Sequence, residues 1–205
     1  MKLYPLFLLM AALTVLSPGP GVVMTLTNSV RFGLKGTIGG ILGISFGALV
    51  VATISATSLG ILLAASAVAF TIIKFAGAAY LAYLGIRLWR APAFQITETA
   101  QREAGFGKRF LEGLSLQLTN PKAIFFFLSV FPQFIDPEMD YFTQFAVQVL
   151  TYSSLVVVIH CLYALFAQSA RTWLTSERVG TAINKTGGTI LLFFGAALAF
   201  SKRTT

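Results

Sequence analysis

Charged residues divide this chain into long apolar intervals, and the lengths of those intervals predict its elements. No charge lies within residues 3–30, and residues 36–86 contain Lys74 alone. One helix over the second interval would run to about 76 Å, far more than the roughly 30 Å hydrocarbon core of a bilayer. That interval must fold back, and the small, uncharged stretch Ala64-Ala65-Ser66-Ala67 is where it does so most easily. Downstream, residues 113–135 hold only Lys122, 141–170 hold no charge, and 181–201 hold only Lys185. The pattern predicts six membrane helices, at about 3–28, 38–63, 68–88, 113–135, 143–168 and 181–201.

Composition narrows the class. Apolar residues make up 56% of the chain and charged residues 11%, against about 25% charged for an average soluble domain. The expectation is an all-α, polytopic membrane protein forming one transmembrane domain over 1–205. Its first repeat occupies about 1–90, a cytoplasmic loop about 89–112, and its second repeat about 113–205. Lys2 before an apolar run also suits a secretory signal peptide. Here the run continues to Leu26, with Pro18 and Pro20 where cleavage would fall, so the segment is expected to remain. It either spans or forms a re-entrant segment covered by protein.

The net charge of +8 then becomes a statement about topology and not about nucleic acid. Ten basic residues of the short loops fall on one side: Arg31, Lys35, Arg87, Arg90, Arg102, Lys108, Arg109, Arg171, Arg178 and Lys185. Only Lys2, Lys202 and Arg203 fall on the other. Positive residues mark the cytoplasm, which places both termini outside, together with Asp136, Glu138 and Asp140. The single cysteine, Cys161, excludes an intrachain disulfide and any multi-cysteine metal site. No cofactor or metal is implied.

The halves echo one another. Leu16-Ser17-Pro18-Gly19-Pro20 matches Leu118-Thr119-Asn120-Pro121-Lys122, and Lys74, Gly77 and Leu81 match Lys185, Gly188 and Leu192. Three spans per half is an odd number, so duplication would give two inverted three-helix repeats, a plan many secondary transporters share. Ser17-Pro18 and Asn120-Pro121 each place a capping residue before proline, the signature of a helix start, yet both fall inside predicted spans. The first and fourth helices are therefore expected to be broken, with inner amino-terminal ends that attract a carboxylate.

Lys122 lies near the middle of its span, where a lysine costs about 2.5 to 3.5 kcal/mol on insertion scales, so it should meet a hydrated cavity or an anion, or cap carbonyls. Lys74 and Lys185 lie close enough to span ends to reach the headgroups. His160, the only histidine, is either a proton relay or hydrogen-bonded to a neighbouring helix. No Asp or Glu lies within any predicted span, which argues against an acidic cation site. Gly39, Gly43 and Gly47 form a ladder suited to close helix packing.

Four separated motifs in order (Leu16-Ser17-Pro18-Gly19-Pro20-Gly21 with Asn28-Ser29; Ala76-Gly77-Ala78-Ala79-Tyr80-Leu81 through Gly85; Leu118-Thr119-Asn120-Pro121-Lys122-Ala123; and Phe131-Pro132-Gln133-Phe134) resemble the LysE/RhtB superfamily of amino-acid exporters over nearly the whole chain. The resemblance implies export of amino acids or derivatives driven by the proton gradient, in the branch that handles homoserine, its lactone and threonine, and it implicates Pro18, Gly19, Pro20, Asn120, Pro121 and Lys122. Members commonly carry Asp or Asn after Pro-Gly-Pro, where this chain has Gly21. Gln117 and Asn28 are further candidates for the substrate ammonium. The partners expected are a small amino-acid substrate and membrane lipid, with a homo-oligomer compatible. The rival readings are a pore or structural membrane subunit, and a membrane-embedded enzyme, for which one His and one Cys supply little.

Overall fold

The computed structural model describes residues 3–65, 67–92, 105–136, 138–169 and 176–200, and these form an all-helical chain. Helix α1 (Tyr4–Leu16) starts with Pro5 in its first turn, the helical position that tolerates proline. It stops because Ser17 precedes Pro18, and a residue before proline is driven out of the helical region; Ser17 is extended at φ −64°, ψ 131°. Helix α2 (Pro20–Ala65) bends at Gly33, whose φ of 67° and ψ of −175° are open essentially to glycine alone. Helix α3 (Ala67–Trp89) follows. After it come α4 (Phe106–Leu118) and the short α5 (Pro121–Phe125), which passes into a π turn at Phe126–Val130 and a 3-10 turn at Phe131–Phe134. The long α6 (Tyr141–Ser169) and α7 (Glu177–Phe200) complete the described fold.

This partition corrects the expected six helices in two inverted three-helix repeats. Among the described residues, two helical stretches are long and apolar enough to cross a membrane, Pro20–Ser55 and Tyr141–Ala167. A third exists if Phe106–Leu118 and Pro121–Phe134, bent by 51° at their break, count as one. Helix α1 has 13 residues, about 20 Å, too short to span alone. The residues after Pro20, expected to finish a first span, instead form a helical segment that joins the second directly at the kink of Gly33, with no loop between them, because Arg31 and Lys35 do not stop a helix. The halves also diverge after their breaks. The first continues as a long helical stretch interrupted by the kink at Gly33, the second as five α-helical residues and two irregular turns. The predicted loop at about 89–112 falls mostly on residues 93–104, and Ser66 of the predicted fold-back is a single position; both lie outside the described residues, as does the side chain of Lys74.

Polarity is arranged as lipid demands. Leu9, Phe46, Ile54, Phe142, Leu165, Phe166 and Phe193 face outward, while Thr25, Ser29, Gln117, Asn120, Gln144, Gln148 and His160 are buried. Helices α2 and α4 meet through glycine: a Cβ at Gly43 would lie 2.1 Å from the Phe110 carbonyl oxygen, and one at Gly113 would lie 2.2 Å from that of Gly40. The expected ladder therefore packs α4. Helices α3 and α7 also cross through glycines, less tightly, at Gly85 and Gly188. An aromatic cluster of Phe7, Phe126, Phe127, Phe131, Phe134 and Tyr152 fixes the amino half of α1 against the π and 3-10 turns and α6. Gln144, fully buried, pins the turn before α6 by accepting from the Asp136 N–H and donating to the Asp136, Met139 and Asp140 carbonyls.

Candidate functional site at the two helix breaks

The breaks come together around Lys122. Asn120 ends its turn in extended conformation, and its side-chain oxygen accepts from the Lys122 N–H at 3.1 Å, capping α5 with Pro121 in its first turn. The sequence signature is thus realised at the second break. It is not at the first, where Ser17 caps the carboxyl end of α1 and the next helix begins only at Pro20.

The difference changes which backbone groups are free. A helix ending at Leu16 leaves carbonyls without intrahelical partners. The Lys122 ammonium donates to the Thr14 carbonyl at 2.9 Å and to the Ser17 carbonyl at 2.8 Å, with the Ser17 hydroxyl at 3.5 Å. The Tyr163 hydroxyl donates to the Leu16 carbonyl at 2.8 Å. A cation at a helix carboxyl terminus also meets the negative end of its dipole. The carbonyls freed at the first break are therefore taken by Lys122 and Tyr163.

Beside the ammonium is a cavity of about 20 Å³ whose polar lining is Gln117, Asn120, Lys122, Tyr152 and His160, with Val15, Ile44 and Val156 opposite and the first turn of α2, Gly21 and Val22, at one wall. That is room for a water molecule. The Asn120 amide donates to Gln117 Oε1 at 3.1 Å, leaving that oxygen one further lone pair. His160 Nδ1 lies 2.7 Å from the Thr25 hydroxyl. A Cβ at Gly21 would sit 3.3 Å from His160 Cε1, so the imidazole covers the space an acidic side chain would use there.

Four of the sequence candidates, Gln117, Asn120, Lys122 and His160, line the cavity. Gly19 borders Lys122, since a Cβ there would lie 3.2 Å from Nζ, and Pro18 rests on Gly187 of α7. Pro20 and Pro121 start helices and line nothing. Asn28 is buried elsewhere, its amide nitrogen without a hydrogen-bond partner among the described residues. Sequence reasoning missed Tyr152, Thr25 and Tyr163. The four-residue spacing of Tyr152, Val156 and His160, one face of a helix, was the available signal for the first. Among the described residues no three His, Cys, Asp or Glu side chains cluster as metal ligands.

Comparison with known proteins agrees with this architecture. A family model described as LysE type translocator matches residues 12–202. The homoserine/homoserine lactone efflux protein of Salmonella typhimurium is 35% identical over 196 residues, covering 96% of this chain and 95% of that protein. An uncharacterised membrane protein of Vibrio cholerae is 34% identical over 196 residues, covering 96% of each chain. A membrane protein of Bacillus subtilis is 28% identical over 200 residues, covering 93% of this chain and 95% of its own length. No solved structure matches significantly.

Proposed function

From the premise that this chain belongs to the LysE type translocator family, a multi-pass membrane translocator and not an enzyme, we propose that it exports small neutral amino acids or their derivatives, of the threonine and homoserine kind, across the bacterial inner membrane in exchange for protons. The observation that carries this reading is the bonding of Lys122. Its ammonium is held by neutral oxygens only, at the edge of a cavity whose lining includes no carboxylate. A substrate carboxylate supplies the anion that is missing, with Asn120 and the first turn of α2 beside it. The substrate ammonium finds the second lone pair of Gln117 and the Tyr152 hydroxyl.

His160 is the proton-carrying group in this reading. It is the titratable partner of Lys122 in the cavity lining, and its contact with Thr25 orients the ring. A protonated imidazole adds a second positive charge to the lining beside Lys122 and competes with the substrate ammonium, so proton entry and release of the ammonium end are coupled.

Counterflow in proteoliposomes with a panel of amino acids tests the proposal. L-Homoserine and L-threonine are expected to exchange with saturation and in response to a pH gradient, and L-lysine and L-arginine are not, because a second cation would meet Lys122 with no acid to offset it. Lysine as the best substrate, or flux that does not saturate, would overturn it.

A further inference from the structure

The cavity beside Lys122 has room for no more than a water, whereas sites for small molecules run to hundreds of cubic ångströms, so one wall must move before a substrate fits. Three walls are poorly suited to moving. Helices α2 and α6 are tied by reciprocal bonds in which the Ser45 hydroxyl donates to the Ser153 carbonyl and the Ser153 hydroxyl to that of Ser45. Helix α4 is seated against the glycines of α2 so closely that a Cβ added at Gly39 or Gly43 would meet its backbone.

The fourth wall, the carboxyl end of α1, is held differently. Its amino half is anchored by Phe7, fully buried among aromatic rings. Its other end is attached by exchangeable hydrogen bonds, from Lys122 to Thr14 and Ser17 and from Tyr163 to Leu16. Beyond it the chain is extended and not helical. Oxygens of α1 thus occupy the very donors that a carboxylate would use.

We propose that the carboxyl end of α1 is a gate latched by Lys122 and Tyr163, and that a substrate carboxylate opens it by taking the Lys122 ammonium from the Thr14 and Ser17 carbonyls. This rests on the carboxylate reading above and adds Tyr163 as a positioning residue, outside the cavity, that sets how readily the gate opens. The closed gate lowers the apparent affinity for substrate by the fraction of time it stands open. Loosening the latch at Tyr163 therefore tightens binding, which a residue needed only for folding would not do.

The experiment uses Val15→Cys, a cavity-lining position that is 4% exposed, in a Cys161→Ser background reconstituted in proteoliposomes. The readouts are the rate of modification by a small methanethiosulfonate reagent without substrate and the affinity for L-homoserine. Tyr163→Phe is expected to speed modification about fivefold, the effect of losing one hydrogen bond, and to lower the half-saturating homoserine concentration by a similar factor. No change in either, or faster modification with unaltered affinity, would overturn the latch. Lys122→Ala separates the two claims. Open Val15 with homoserine binding lost supports both. Open Val15 with affinity at or above wild type keeps the latch and sinks the carboxylate reading. Shielded Val15 with binding lost keeps that reading and sinks the latch.

Discussion

An ammonium removed from water needs oxygens around it, and Lys122 has them from two residues of one helix end and no others of opposite charge among the described groups. Neutral carbonyls satisfy its hydrogen-bonding capacity and leave its charge uncompensated, which is the condition under which an arriving carboxylate gains most; hydrogen bonds to charged groups contribute about 1.5 to 3 kcal/mol each. Of the residues around it, those at the second break were legible in the sequence, because Asn-Pro carries the cap and the first helical residue in two letters. Ser17-Pro18 carries the same letters and does the opposite. A second proline at Pro20 delays the next helix, so Ser17 closes α1 through its backbone N–H to the Leu13 carbonyl and does not open α2. Local chemistry cannot tell these outcomes apart. Nor does it show that the hydrogen of Gly21 leaves its space to His160, since those residues meet only through the packing of α2 on α6.

Between elements, what matters is how closely the backbones approach. Helix α4 carries Gln117 and leads into Asn120 and Lys122, and its place is set by the glycines of α2. Gly43→Ala puts a Cβ 2.1 Å from the Phe110 carbonyl oxygen, backbone that cannot step aside, and overpacking of this kind costs about 1 to 3 kcal/mol. The variant is expected to unfold in detergent several degrees below wild type. Gly107→Ala on α4, where a Cβ meets nothing within 4 Å, is expected to be neutral or stabilising, since alanine favours helix over glycine by about 1 kcal/mol. Equal unfolding temperatures for wild type and Gly43→Ala would remove the glycine ladder as the device that places the site. That ladder was readable from its four-residue spacing. The bend at Gly33 was not, because a single glycine in an apolar run signals a close contact, a kink or nothing at all, and only its positive φ distinguishes them.

For the molecule as a whole, hydropathy located the apolar stretches and misjudged how they are joined. Transfer free energy sums over residues and is blind to where the backbone turns, so the break after Leu16 and the loop-free kink at Gly33 redistribute the same apolar residues into different helices. Orientation is proposed from charge alone: Arg87, Arg90, Lys108, Arg109, Arg178 and Lys185 are assigned to the cytoplasmic side, with Asp136, Glu138 and Asp140 on the other. In the Cys161→Ser background, cysteines at the exposed positions Glu138 and Arg90 are expected to react with an impermeant reagent from outside and only after permeabilisation, respectively; the reverse order would invert the transporter. The central claim is that the Lys122 ammonium receives a carboxylate, and homoserine and its lactone differ in having one. Their affinities in wild type and in Lys122→Ala form a cycle in which any common effect of gate opening cancels. The account predicts that the substitution weakens homoserine relative to the lactone by at least about tenfold, the worth of one charge-assisted bond. An unchanged ratio of the two affinities would contradict it.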